Sequence, residues 1–195
     1  METKGEINIS PKYNKDRYLN LKLSLQSSES DWNEAVAILK DRIEGRFFNQ
    51  IDLLLDNVNA NGFTIMALNC LLIETLYQFK EGKDRTPTRQ NKEVYSDFLM
   101  YEFPREFNAR NLADSFYTNI RCGILHSAQT KNESRLSDRE DIVVTLEDDT
   151  LIVSVTGVSS LLKTYFEQYL QKLLDPNEVI LRNNFINKMK FVCRK

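Results

Sequence analysis

The chain has 195 residues and a formal charge of −2; it is 42% hydrophobic and 28% charged, with only six Gly and four Pro, a balance that excludes a low-complexity or disordered chain and fits one packed domain. Near-neutral charge excludes a global field for polyanions, so a nucleic acid would need a local cluster of cations. Three scattered Cys and a single His exclude a disulfide framework and a zinc cage within one chain, and point to a reducing, cytoplasmic setting with no cofactor and no metal.

The first residues, Met1 to Glu6, are too polar for a signal peptide, and the longest apolar stretch, Phe63 to Ile73, is interrupted by Asn69 and too short to cross a bilayer. No membrane partner is expected. Residues 1–28 read as an extended N-terminal arm, an appendage to the core, because Tyr18 to Leu25 alternates apolar and polar side chains. Residues 29–195 read as a mainly α-helical domain. Ser30, ahead of Asp31 and Trp32, predicts a helix start, and Trp32, Val36, Leu39, Ile43, Phe47, Ile51 and Leu55 recur at spacings of three and four. Asn57 to Gly62 is turn-rich. A second helix is predicted from Phe63 through Met66, Cys70, Ile73 and Tyr77, stopped by Gly82.

A shorter helix is predicted around Lys92 to Tyr101, closed by Pro104, and a fourth from about Ala109 to Ala128. The β-branched runs Ile142–Leu146 and Leu151–Val155 flank Glu147–Thr150 and predict a hairpin with a four-residue loop at about 141–155, between the fourth and fifth helices. The fifth helix, Val158 to Leu174, is ended by Pro176 and followed by a short terminal helix.

The chemistry concentrates on the fourth helix, where Arg121 precedes His126, the only histidine, by five residues. At about 100° per residue, Ala109, Leu112, Ala113, Phe116, Ile120, Gly123 and Ile124 share an apolar face, with Arg121 and His126 on its two opposite borders and neither pointing into the core. Thr118, Cys122, Leu125 and Gln129 lie between them as an uncharged seam suited to a second helix, so a homodimer packed there would bring two arginines and two histidines together. Imidazole moves a 2′-hydroxyl proton near neutral pH, and guanidinium holds a phosphate with two bonds, which together make a metal-independent RNA-cleaving site. The alternative is structural: His126 complements the C-terminal dipole of its helix and Arg121 forms a surface ion pair.

Glu74 falls within the apolar stripe of the second helix and, if buried, needs a partner, for which Arg121 is the candidate; a salt bridge to another basic residue is the alternative. Asn119, seven residues before His126, is placed to contact the imidazole or a phosphate. The tail carries Arg182, Lys188, Lys190, Arg194 and Lys195 with no acid from Leu181 onward, a candidate RNA-binding strip or a solvated basic tail.

Arg121-Cys122-Gly123-Ile124-Leu125-His126, late in an amphipathic helix that follows two long helices, resembles the HEPN superfamily, whose signature is an arginine followed after four to six residues by a histidine. The resemblance covers roughly residues 30–175, by architecture rather than by residue identity. It implies a HEPN-like helical bundle and a homodimeric, metal-independent endoribonuclease of toxin–antitoxin or phage-defence systems, with Arg121 and His126 catalytic in both subunits, RNA as substrate and an antitoxin as a possible partner. It also matches Glu74 to a recurrent acid of the second helix. One departure is Cys122, where the family commonly has a polar residue. It leaves open a noncatalytic nucleotide- or protein-binding module; a DNA-binding regulator using the basic C-terminus is a further alternative.

Overall fold

The computed structural model describes residues 7–194. The absence of a signal peptide, which concerns Met1 to Glu6, and the last cation of the basic strip, Lys195, lie outside the described residues, as does the start of the predicted arm. The described residues are mainly helical, with one small three-stranded sheet. Contacts divide the chain into two compact units: Met1–Gln50, Gln78–Asp84 and Phe166–Lys195 form the first, and Ile51–Tyr77 and Arg85–Tyr165 the second.

The first unit contains α1 (Lys15–Asn20), α2 (Glu29–Ile43), a π-helical turn (Glu44–Phe48), only the first two residues of α3 (Asn49–Leu55), and α9 (Val179–Val192). The extended arm predicted at Tyr18 to Leu25 is corrected. Asn14 accepts from Arg17 N at 2.8 Å and so starts a helix, while Lys22 at φ 46 breaks any extended run. One turn of helix buries Tyr18 edge-on to Phe185, with centroids 6.3 Å apart, and Ile9 is buried too, so this segment belongs to the unit's core.

Helix α2 starts at Ser28 rather than Ser30. Asp31 N donates to Ser28 Oγ at 3.2 Å and Ser28 N to Asp31 Oδ2 at 3.1 Å, a reciprocal box that Ser30 does not form. The apolar stripe then runs through Trp32, Val36, Leu39 and Ile43 but buries Phe48 where regular spacing predicts Phe47. The π turn adds one residue to the repeat, and the core position moves along by one. Phe185 of α9 is the hub of this core, with Trp32 at 6.0 Å and Phe79 at 6.3 Å. The terminal helix, predicted to be short, has 14 residues.

The second unit contains most of α4 (Val58–Lys80), α5 (Asn91–Glu102), α6 (Arg110–Ser115), a second π-helical stretch (Phe116–Arg121), α7 (Cys122–Ser127), the sheet, and the start of α8 (Val155–Leu174). Helix α4 begins at Val58, inside the stretch expected to be turns. At 23 residues it is long and apolar enough to cross a membrane by length and composition, which corrects the shorter estimate from the sequence. Its buried residues are nonetheless those of a core helix: Ile65, Met66, Cys70 and Ile73 are covered, and Asn69 Nδ2 donates to Ser159 Oγ of α8 at 2.9 Å.

The sheet has the order β1-β3-β2, from β1 (Arg135–Ser137), β2 (Val144–Glu147) and β3 (Thr150–Ser154). β2 and β3 are antiparallel with Glu147 opposite Thr150. The predicted four-residue loop is therefore a two-residue one, Asp148 and Asp149, at φ 47 and 63. β1 was not expected from the sequence; it pairs parallel to β3, and three residues are too few to show alternation.

Candidate active site

Arg121 ends the second π-helical stretch and His126 lies in the last turn of α7, which stops at Ala128 in the left-handed conformation, φ 53. Each part of this helix has a visible cause. Leu112, Ala113, Phe116, Ile120 and Ile124 are buried at helical spacing, and Phe116 packs edge-on to Phe107 at 5.4 Å and stacks on Tyr95 at 6.4 Å. The loop after α7 folds back on it. Lys131 N donates to the Asn119 carbonyl at 3.0 Å, and Gly123 lets the Gln129 carbonyl approach so closely that a Cβ there would sit 2.4 Å from it.

The sequence reading put Arg121 and His126 on opposite borders of the apolar face, with neither pointing inward; the structure brings their side chains together. Arg121 Nη1 lies 3.4 Å from His126 Nε2. A backbone angle omits the reach of the arginine side chain, which carries its guanidinium well beyond its own Cα. His126 is exposed, whereas the Arg121 side chain is only 13% exposed.

Glu74 of α4 holds the other end of the guanidinium, with Arg121 Nη2 donating to Glu74 Oε2 at 2.8 Å. With the Glu74 side chain 22% exposed, this pair is screened less than a surface salt bridge. Burial works against the charge of Arg121, but the hydrogen bond and charge of Glu74 outweigh it, so its pKa is raised above the ordinary arginine value. Arg121 Nε is buried without a hydrogen-bond partner.

Tyr117, which the sequence reading did not single out, completes the support. Its ring lies 5.5 Å from the Arg121 guanidinium and packs on Tyr95 at 5.3 Å. The signal that could have found it is the four-residue spacing between Tyr117 and Arg121 on one helix. Beneath it, burial and the neighbouring Cys70 push Tyr95 well above the usual phenol range, and burial pushes the Cys70 thiol up to about 12.

Other expected site residues lie elsewhere or are occupied. Asn119 is buried and its Oδ1 accepts from Asn132 Nδ2 at 2.9 Å, so it braces the loop after α7. Of the proposed dimer seam, Thr118 is exposed and Cys122 and Leu125 are half-buried, but Gln129 falls past the end of α7.

The basic strip is corrected. Arg182 is buried with its guanidinium 3.7 Å from the Trp32 ring centroid, and Lys188 is buried with its Nζ donating to Gln78 Oε1 at 2.7 Å and the Asp84 carbonyl at 3.0 Å. Both lie on the covered face of α9, where no phosphate backbone reaches them. Lys190 and Arg194 are exposed, and Arg194 pairs with Asp84 at 3.3 Å.

Among the described residues no group of three His, Cys, Asp or Glu side chains is placed to hold a metal ion. A surface cavity of about 530 Å³ lies between α8 and the residues before β2, lined by Glu140, Thr156, Ser160 and Thr164 among others; Arg121 and His126 are not part of it. Comparison of the chain with protein-family models, with curated proteins and with solved structures finds no match.

Proposed function

We propose that the chain is a HEPN-like endoribonuclease that cleaves RNA without a metal, as a homodimer, in the setting of a toxin–antitoxin or phage-defence system. The observation that carries this is the convergence of Arg121 and His126, with Glu74 and Tyr117 fixing the guanidinium beside an exposed imidazole. In this reading His126 takes the proton of a 2′-hydroxyl. The freed oxygen attacks phosphorus, the bond to the 5′-oxygen breaks, and the leaving oxygen is protonated by the second subunit's imidazolium. The products are a 2′,3′-cyclic phosphate and a 5′-hydroxyl.

Arg121 would stabilise the charge that builds on the phosphoryl oxygens. Two of its five N–H groups already serve Glu74 and His126, which leaves one on each Nη for the phosphate. A dimer face is supported by Phe63 and Leu71, which stay 46% and 44% exposed eight residues apart on α4, the helix that carries Glu74.

The test is cleavage of a mixed single-stranded RNA pool in excess EDTA by wild type, Arg121→Ala and His126→Ala. Wild type alone should cleave; equal cleavage by His126→Ala rules the assignment out. Cleavage by none of the three favours the second reading, a noncatalytic nucleotide- or protein-binding module, which the partial commitment of the Arg121 donors also fits. The burial of Arg182 and Lys188 argues against a DNA-binding regulator built on the C-terminal cations.

A further inference from the structure

We propose that Arg121 is a positioning residue that sets the tautomer of His126, keeping the ring proton on Nδ1 and the lone pair on Nε2, where the guanidinium donates to it. The inference starts from the inventory of donors. A guanidinium carries five N–H groups and no acceptor, so its 3.4 Å contact with a ring nitrogen is a hydrogen bond only if that nitrogen offers a lone pair. The nitrogen is Nε2. Free neutral histidine in water favours the opposite form, with the proton on Nε2, so the protein must impose this one.

Three further observations fix the donor. Glu74 ties down Nη2 at 2.8 Å, Tyr117 lies 5.5 Å from the guanidinium, and the guanidinium is mostly covered while the imidazole is exposed. The held partner is therefore the arginine, and the ring orients to it. The glutamate, the guanidinium and the imidazole form one relay, in which the carboxylate aims the N–H that selects the nitrogen. The assignment concerns the tautomer alone and is independent of the function proposed above.

Because the chain has a single histidine, its imidazole can be observed without resonance overlap in the uniformly ¹⁵N-labelled full chain. Long-range ¹H–¹⁵N correlation, at a pH above the ring's titration, is expected to show Nε2, recognised by its couplings to both ring protons, at the shift of an unprotonated nitrogen. Nuclear Overhauser contacts are expected from an Arg121 Nη proton to Hδ2 and Hε1, the two protons that flank Nε2. In Arg121→Ala the populations should move toward the Nε2–H form.

A protonated Nε2 in the neutral wild-type ring, or missing Overhauser contacts, overturns the proposal. So does an unchanged tautomer in a folded Arg121→Ala variant. If that variant does not fold, Arg121→Met, which keeps the apolar stem, takes its place, and the two wild-type readouts stand without either. None of these depends on RNA cleavage, so a protein that shows the Nδ1–H form but cleaves nothing overturns the ribonuclease reading and leaves this one standing.

Discussion

Two basic helical segments present similar sequence signals and meet opposite fates. In α6 to α7, Arg121 reaches an exposed histidine and is aimed by a carboxylate; in α9, Arg182 and Lys188 are covered, one on an indole ring and the other on an amide and a carbonyl oxygen. The difference is which helix face each cation occupies. In α9 the cations share the face of Phe185 and Met189 and are drawn in with it, their stems acting as apolar surface. Local charge density says little about reach to a ligand, whereas a paired acid at a distant point of the chain says much.

That contrast can be broken by a double dissociation. The largest expected effect is on catalysis: if the proposed reaction is right, Arg121→Ala lowers the RNA cleavage rate by about 10²- to 10⁴-fold, the range typical of lost proton-transfer or oxyanion support. Arg182→Ala should leave that rate unchanged while lowering stability by about 1–3 kcal/mol in urea denaturation, since it removes a buried cation–π contact and the packing of the stem. Lys188→Met should cost about the same, because Gln78 Oε1 and the Asp84 carbonyl lose their donor. A cleavage defect in either α9 variant at unchanged stability would mean the tail does meet substrate.

A subtler effect sharpens the same comparison around Cys70. Its thiol is raised from an ordinary value of 9.0 to about 12 by burial. An acid with a raised folded pKa holds its proton more tightly when folded, so its contribution is fully present below pH 9 and is lost as pH rises toward 12. Cys70→Ala should therefore flatten the alkaline fall of the urea midpoint relative to wild type. Mass spectrometry after brief iodoacetamide treatment at pH 8 should find Cys122, which is partly exposed, modified before Cys70 or Cys193, which are buried. The smallest effect belongs to Ser28→Ala, expected to cost about 1 kcal/mol of stability by opening the α2 capping box.

Helices with long regular stripes were legible in the sequence: the stripe from Trp32 to Ile43 and the apolar face from Leu112 to Ile124 both bury as their spacing requires. What failed depends on features that one residue carries. The π turn at Glu44–Phe48 replaces Phe47 by Phe48 in the core, the positive φ of Lys22 ends an apparent strand, and the positive φ at Asp148 and Asp149 shortens the hairpin loop. No periodicity announces any of them. For the site, the pairing of Glu74 with Arg121 followed from the need of a buried acid for a partner, whereas the contact of Arg121 with His126 was hidden because angles count backbone positions and ignore side-chain length. Asn119 was misplaced because its partner, Asn132, sits in a loop without a pattern.

Gly123 has a consequence for recognising kindred sites. A Cβ at this position would meet a carbonyl oxygen of the chain's own backbone, 2.4 Å away, and main chain yields less readily than a side chain. The spacing of arginine to histidine is thus a three-point fingerprint, with glycine obligatory two residues after the arginine wherever the following loop folds back in this way. A chain with the same arginine and histidine but a larger residue between them must route that loop differently, and would present its imidazole on a different background.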